Sequence, residues 1–172
     1  MTEVPVREDM PYRLCVGIAV FNTEGKVWAG RRIQQSRISN DFCWQLPQGG
    51  IDKGEEAFSA AKRELFEETG IRSASLIGEI SEWLFYDLPD EALGIALKGK
   101  YRGQKQRWFA FRFEGQENEI NITNPPDGSH PEFDAWAWKE LSEMPERIVP
   151  FKREIYDRIV KDFTHLSEQI KA

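Results

Sequence analysis

The stretch that decides the fold is GGIDKGEEAFSAAKRELFEETGI, Gly49 to Ile71. Gly49, Gly50 and Gly54 permit backbone conformations with positive φ, so the segment is expected to turn tightly and approach another group closely. From Glu55 to Thr69 the residues are good helix formers, and Gly70 stands where a C-terminal cap belongs. At 3.6 residues per turn, Glu64, Glu67 and Glu68 share one face, beside an apolar strip of Phe58, Ala61 and Leu65. Three like charges on one face destabilise a helix. A hard cation with oxygen ligands removes that penalty, and magnesium takes a few carboxylates together with substrate phosphates. The competing reading is a solvated acidic face.

The glycine loop before the helix and the capping glycine after it favour the metal. The stretch resembles the Nudix hydrolase signature, G-x5-E-x7-R-E-U-x-E-E-x-G-U with U a bulky aliphatic residue. Gly49, Glu55, Arg63, Glu64, Leu65, Glu67, Glu68, Gly70 and Ile71 fill every fixed position. The resemblance implies an α/β/α sandwich with a mixed β-sheet, a catalytic loop–helix–loop and a C-terminal helix. It also implies an enzyme that binds divalent metal and hydrolyses a nucleoside diphosphate linked to another group. Magnesium is the implied cofactor, with Mn2+ or Zn2+ as substitutes. Glu64, Glu67 and Glu68 take the catalytic and metal-binding roles, Glu67 and Glu68 as the dominant ligands and the Gly49 carbonyl as a further oxygen. Glu64 is the first choice for the base that activates water. Arg63, one turn before Glu67, braces that carboxylate, and Glu55 suits a helix start.

The likeness extends outward. WQLPQGG (residues 44–50), QKQRWF (104–109), PEFDAW (131–136) and FKRE (151–154) resemble the bacterial RNA pyrophosphohydrolase and diadenosine tetraphosphate hydrolase branch. That branch implies a metal role for Glu132, which leaves the base open between Glu64 and Glu132. It also nominates Arg32, Tyr86, Phe151 and Lys152 as substrate contacts. Residues 36–43 are an expanded loop similar to that of alphaproteobacterial invasion-associated members, placed to rim the pocket.

The rest of the chain reads as a single α+β domain over residues 1–172, with 1–10 a flexible N-terminal segment. Tyr12–Phe21 and Lys26–Arg32 form a hairpin about a turn at Asn22–Gly25. Residues 44–50 read as one short strand entering the loop, with Pro47 confined to an edge or end. Ala74–Tyr86 is one or two strands, 87–104 a long loop, and Arg107–Glu114 and Phe133–Trp138 are strands. Lys152–Ile170 carries helical apolar spacing through Ile155, Ile159, Phe163 and Leu166. Trp28, Trp44, Trp83, Trp136 and Trp138 are expected in the core, and His130 and His165 have no ligand-like spacing.

Hydrophobic residues make up 40% of the 172, enough for a core, and the net charge is −6. A net negative field does not recruit nucleic acid, so no DNA duplex partner is expected and a polyanion must be met locally. Lys98, Lys100, Arg102, Lys105 and Arg107 form a basic run with Tyr101 and Trp108 interleaved, which makes Lys105 a candidate phosphate contact. Cys15 and Cys43 are expected to be reduced thiols. No apolar run approaches the ~20 residues that span a bilayer, and no signal peptide is seen, so the expected location is the cytoplasm with no membrane partner. The favoured function is hydrolysis of the 5′-triphosphate or diphosphate end of RNA to a monophosphate, triggering mRNA decay. Hydrolysis of dinucleoside polyphosphates such as diadenosine tetraphosphate is the alternative. A non-catalytic nucleotide-binding module is a third reading, disfavoured by the intact Glu64, Glu67 and Glu68.

Overall fold

The computed structural model describes residues 5–33 and 42–172. Most of the 36–43 loop therefore lies outside the described residues. The chain runs β1 (Tyr12–Phe21), β2 (Val27–Arg32), β3 (Trp44–Gln45), β4 (Gln48–Gly50), α1 (Ala57–Thr69), β5 (Ala74–Asp87) and β6 (Gly103–Phe113). It ends with β7 (Phe133–Lys139), α2 (Met144–Arg147) and α3 (Arg153–Lys171). The sheet order is β3-β2-β1-β6-β5, with β4 added to β1 and β7 to β2. β1 and β6 run parallel in the middle, and the remaining pairs are antiparallel.

Strands covered on both faces read as continuous apolar runs rather than as alternations, and β1 (YRLCVGIAVF) is one of these. Ala19 and Phe21 turn toward α3, where they pack with Trp108, Tyr156, Ile159 and Phe163. Val16, Ile18 and Val20 turn toward α1 and meet Ala60, Ala61, Leu65, Phe109 and Phe111. Helix, sheet and helix thus form three layers, the expected α/β/α sandwich. Gly17 is needed at the centre because a Cβ there would lie 2.3 Å from the Trp108 ring. Trp108 is fully buried, so it belongs to the core and not, as the basic run suggested, to a surface for phosphate. Trp83 departs in the other direction. It is only half-buried, with Lys105 and Arg107 over its ring at 5.2 and 5.7 Å.

Residues 44–50 form two strands with different partners, not one. Proline has no N–H to donate, so the ladder breaks at Pro47 and the chain passes from β2 to β1. The Pro47 carbonyl still accepts from Ile18 N–H at 2.9 Å. β5 is a single strand of 14 residues at the outer end of the sheet. Its pairing with β6 slips between Leu76 and Gly78 and again between Ile80 and Leu84. In the N-terminal segment, residues 7–9 form a 3-10 turn and Arg7 donates to the Leu88 carbonyl at 2.8 Å.

Candidate active site

Strand β4 lays its glycines directly against α1. A Cβ on Gly49 would lie 2.0 Å from the Glu64 carboxyl carbon, and one on Gly50 would lie 2.5 Å from Arg13 Nη2. The close approach read from the glycines is present, but positive φ is not its cause. Of Gly49, Gly50 and Gly54, only Gly54 has it, at 80°. Helix α1 ends as expected on Gly70 in the left-handed region, φ 78°, with its N–H on the Phe66 carbonyl.

Arg63 organises the acidic face. Its Nε and Nη2 each donate to Glu55 at 2.8 Å, and Nη2 donates also to the Gly50 carbonyl at 2.8 Å. Nη1 donates to Glu64 at 2.8 Å and Glu67 at 3.1 Å. Glu55 in turn accepts the Asp52 N–H, so it closes the loop onto the helix rather than acting as a helix-start charge. The Arg63 hydrogen bonds hold the Glu55 carboxyl down to about 2. The other acids are pushed the opposite way. Burial raises Glu64 to about 7 despite Arg63 and with help from Glu67. Burial, then the neighbouring charges of Glu64 and Glu132, holds Glu68 well above the usual carboxylate range. Its hydrogen bond from Gln48 N–H, at 3.3 Å, is long.

Glu64, Glu67 and Glu68 line a cleft of about 380 Å3. Glu64, Glu67, Glu68, Glu132 and Gly49 line it together with Arg13, Arg32 and Lys152. Lys152 is 6% exposed, and burial, assisted by the Arg32 charge, lowers its ammonium to about 7. Its Nζ stands 5.4 Å from the Tyr86 ring, and Tyr86 packs on Phe151 at 5.5 Å. Arg32, Tyr86 and Lys152 thus come together, with Phe151 beside them. Lys105 does not join them. Strand alternation turns it to the opposite face of β6, under Trp83. Several lining residues carried no sequence signal of their own, among them Arg13, Gln45, Gln48, Gln104 and His130. Arg13 follows from alternation along β1, because it shares a face with Cys15 and Gly17.

Among the described residues no group of three or more acids or histidines is already gathered as a metal cage, since Glu64 and Glu67 are held by Arg63. The donor chemistry nevertheless fits a hard divalent cation. All the acids are oxygen donors, crowded enough to raise one another's proton affinity, and a cation relieves that repulsion.

Comparison with known proteins agrees with this geometry. The NUDIX domain profile matches residues 11–159. The RNA pyrophosphohydrolase of Agrobacterium fabrum (strain C58) is 58% identical over 163 residues, spanning 93% of this chain and 96% of that protein. That of Brucella abortus (strain 2308) is 56% identical over 163 residues, spanning 93% and 92%. Among solved structures, the E. coli dihydroneopterin triphosphate pyrophosphohydrolase is similar at TM-score 0.61 and 20% identity, covering 88% of this chain and 99% of that one. A C. elegans Ap4A hydrolase binary complex gives TM-score 0.59 at 17% identity, covering 88% and 98%. These two speak for the fold alone. With the signature face, the three-layer fold and these relatives in agreement, the chain belongs to the Nudix hydrolase family, on its RNA pyrophosphohydrolase branch.

Proposed function

We propose that this chain removes pyrophosphate or phosphate from the 5′-triphosphate or diphosphate end of RNA, leaves a monophosphate, and thereby commits transcripts to decay in the cytoplasm. The observation that carries this reading is that one cleft gathers both signs of charge, the carboxylates of α1 and Glu132 together with the cations Arg13, Arg32 and Lys152. Such a lining suits a polyphosphate, whose charge would be met by the cations and by a metal held on the carboxylates. The relatives named RNA pyrophosphohydrolase support RNA as the substrate.

Nudix hydrolases depend on a divalent metal. We assign it here as magnesium, replaceable by manganese or zinc, held by Glu67 and Glu68 with Glu64, Glu132 and the Gly49 carbonyl as further oxygens. The metal would neutralise phosphate charge and lower the pKa of water. Glu64, buried and pushed up to about 7, suits a group that accepts a proton from the attacking water near neutral pH, and Glu132 is the other candidate for that role. Arg63 commits its donors to Glu55, Glu64, Glu67 and the Gly50 carbonyl and keeps Glu64 and Glu67 in register. Lys152 and Arg32 hold phosphate oxygens, while the Tyr86–Phe151 ring pair offers a stacking surface for a base.

That ring pair also supports the second reading. A stacked ring accepts the adenosine of a dinucleoside polyphosphate as readily as a terminal base of RNA. The deciding experiment compares kcat/KM at equal magnesium for 5′-triphosphorylated RNA with an unpaired end and for diadenosine tetraphosphate. Glu68→Gln serves as the inactive control. Preference for RNA supports the first reading, preference for the dinucleotide the second, and full turnover by Glu68→Gln refutes the site assignment.

A further inference from the structure

A chain of amides runs from the core to the cleft, and its direction is fixed at the buried end. Trp108 Nε1–H donates to Gln106 Oε1 at 2.9 Å. An indole N–H is only a donor, so Gln106 must turn its oxygen toward Trp108 and its NH2 away. That NH2 donates to Gln104 Oε1 at 2.8 Å and to Gln48 Oε1 at 3.0 Å. Both oxygens are thereby committed. Gln48 and Gln104 line the cleft, and among the described residues neither NH2 donates a hydrogen bond. Trp108, Gln106 and Gln104 are 0%, 1% and 4% exposed, so water cannot compensate a reversal at the buried end.

We infer that the Trp108–Gln106 pair locks Gln48 and Gln104 as a two-amide donor subsite for the anionic oxygens of the substrate's polyphosphate. This rests on the proposed reading that a polyphosphate enters the cleft. An unlocked glutamine presents its oxygen as readily as its nitrogen. An amide oxygen would join four carboxylates, Glu64, Glu67, Glu68 and Glu132, that already repel phosphate. The cations supply charge, and the amides supply directed N–H groups. Gln106 and Trp108 act only through the two amides and are positioning residues.

The test is Gln106→Glu, which keeps size but removes the NH2. The new carboxylate accepts from Trp108 and from the amide NH2 groups of Gln48 and Gln104, so both turn their oxygens to the cleft. KM for 5′-triphosphorylated RNA should rise roughly tenfold or more, the scale of one or two lost hydrogen bonds to a charged group, with a smaller change in kcat. Fluorescence anisotropy of a non-hydrolysable 5′-triphosphate RNA should show the same loss of affinity, while RNA with a 5′-hydroxyl end is unaffected. In a Gln48→Ala/Gln104→Ala background, Gln106→Glu should add nothing further. Unchanged KM and affinity in a folded Gln106→Glu protein, or a full additional effect in that background, would overturn the inference. If Gln106→Glu does not fold, Trp108→Phe releases the lock by removing the N–H, and wild-type affinity in that variant is equally fatal. A wild-type protein that hydrolyses neither RNA nor the dinucleotide would sink the proposed function instead, and triphosphate binding alone then judges the amides.

Discussion

Replacing Arg63 by methionine should damage stability more than substrate affinity. Methionine fills much of the same space but withdraws five hydrogen bonds, leaving Glu55 and the Gly50 carbonyl without their partner. Breaking one side of a buried ion pair costs about 3–5 kcal/mol. The Arg63 side chain keeps 28% of its exposure, so screening by water reduces this to about 2–4 kcal/mol. At about 2–4 °C per kcal/mol for a chain of this size, Tm should fall by roughly 5–15 °C. Arg63→Lys should recover less than half of that, because an ammonium cannot span Glu55, Glu64 and the carbonyl together. Differential scanning calorimetry in EDTA gives Tm, and steady-state kinetics below that temperature gives kcat and KM. A wild-type Tm combined with a raised KM would refute the reasoning, since it would make Arg63 a substrate contact.

Other outcomes follow from the same geometry. Glu55 is held, chiefly by the Arg63 hydrogen bonds, at about 2 against an ordinary 4.5, so its stabilisation is complete above about pH 4.5 and is lost as pH falls toward 2. Tm measured across that window should therefore decline less steeply in Arg63→Met than in wild type. Glu64 and Glu68 have raised values, so metal-free stability should fall as pH rises from 4.5 through 7, and magnesium should flatten that slope in a paired melting series. Glu68→Gln keeps an oxygen for the Gln48 N–H while removing a repelling charge. In EDTA at pH 8 it should gain about 0.5–2 kcal/mol while losing turnover, and a loss of stability would contradict the crowding argument. Gly49→Ala places a methyl inside the Glu64 carboxyl, and a displacement of about 1 Å there should cost on the order of 10²-fold in kcat with KM little changed. Lys152→Met should raise KM for triphosphorylated RNA while leaving Tm equal or higher, because a buried ammonium is replaced by an apolar side chain of similar length.

The sequence made the acidic face of α1 legible because its geometry is local. Glu64, Glu67 and Glu68 fall on one face through helical spacing alone, and Gly70 caps the helix as its position suggested. The apolar runs of β1, β6 and α3 were equally legible. What depended on pairing between distant strands was not. Whether Trp108 or Lys105 reaches the cleft turns on which face of β6 meets α3, and alternation gives the two faces without saying which is which. Trp83 lies within the second slip of β5 and stays half-buried, and nothing in its neighbours announces that slip. Gln104 and Gln106 lie among the cations of the basic run, yet the hydrogen bond that ties Gln106 to Gln48 crosses 58 residues of chain. At Gly49 and Gly50 the close approach is legible but the backbone angle is not, since an extended strand needs glycine wherever a side chain leans on it.

The slips in β5 have a consequence beyond the position of Trp83. An outermost strand of 14 residues, if flat and regular, would expose a long row of unsatisfied N–H and C=O groups to any extended chain nearby. Each irregularity bends the strand and increases its local twist, dividing that row into segments too short to template a further strand. Arg158 of α3 reaches across to Glu82 at 3.3 Å, inside the second slip, and places a charged pair over the same stretch. The irregular pairing thus guards the open end of the sheet against fibre-like stacking. Deleting residues to straighten β5 should leave the cleft intact and make the protein prone to aggregation.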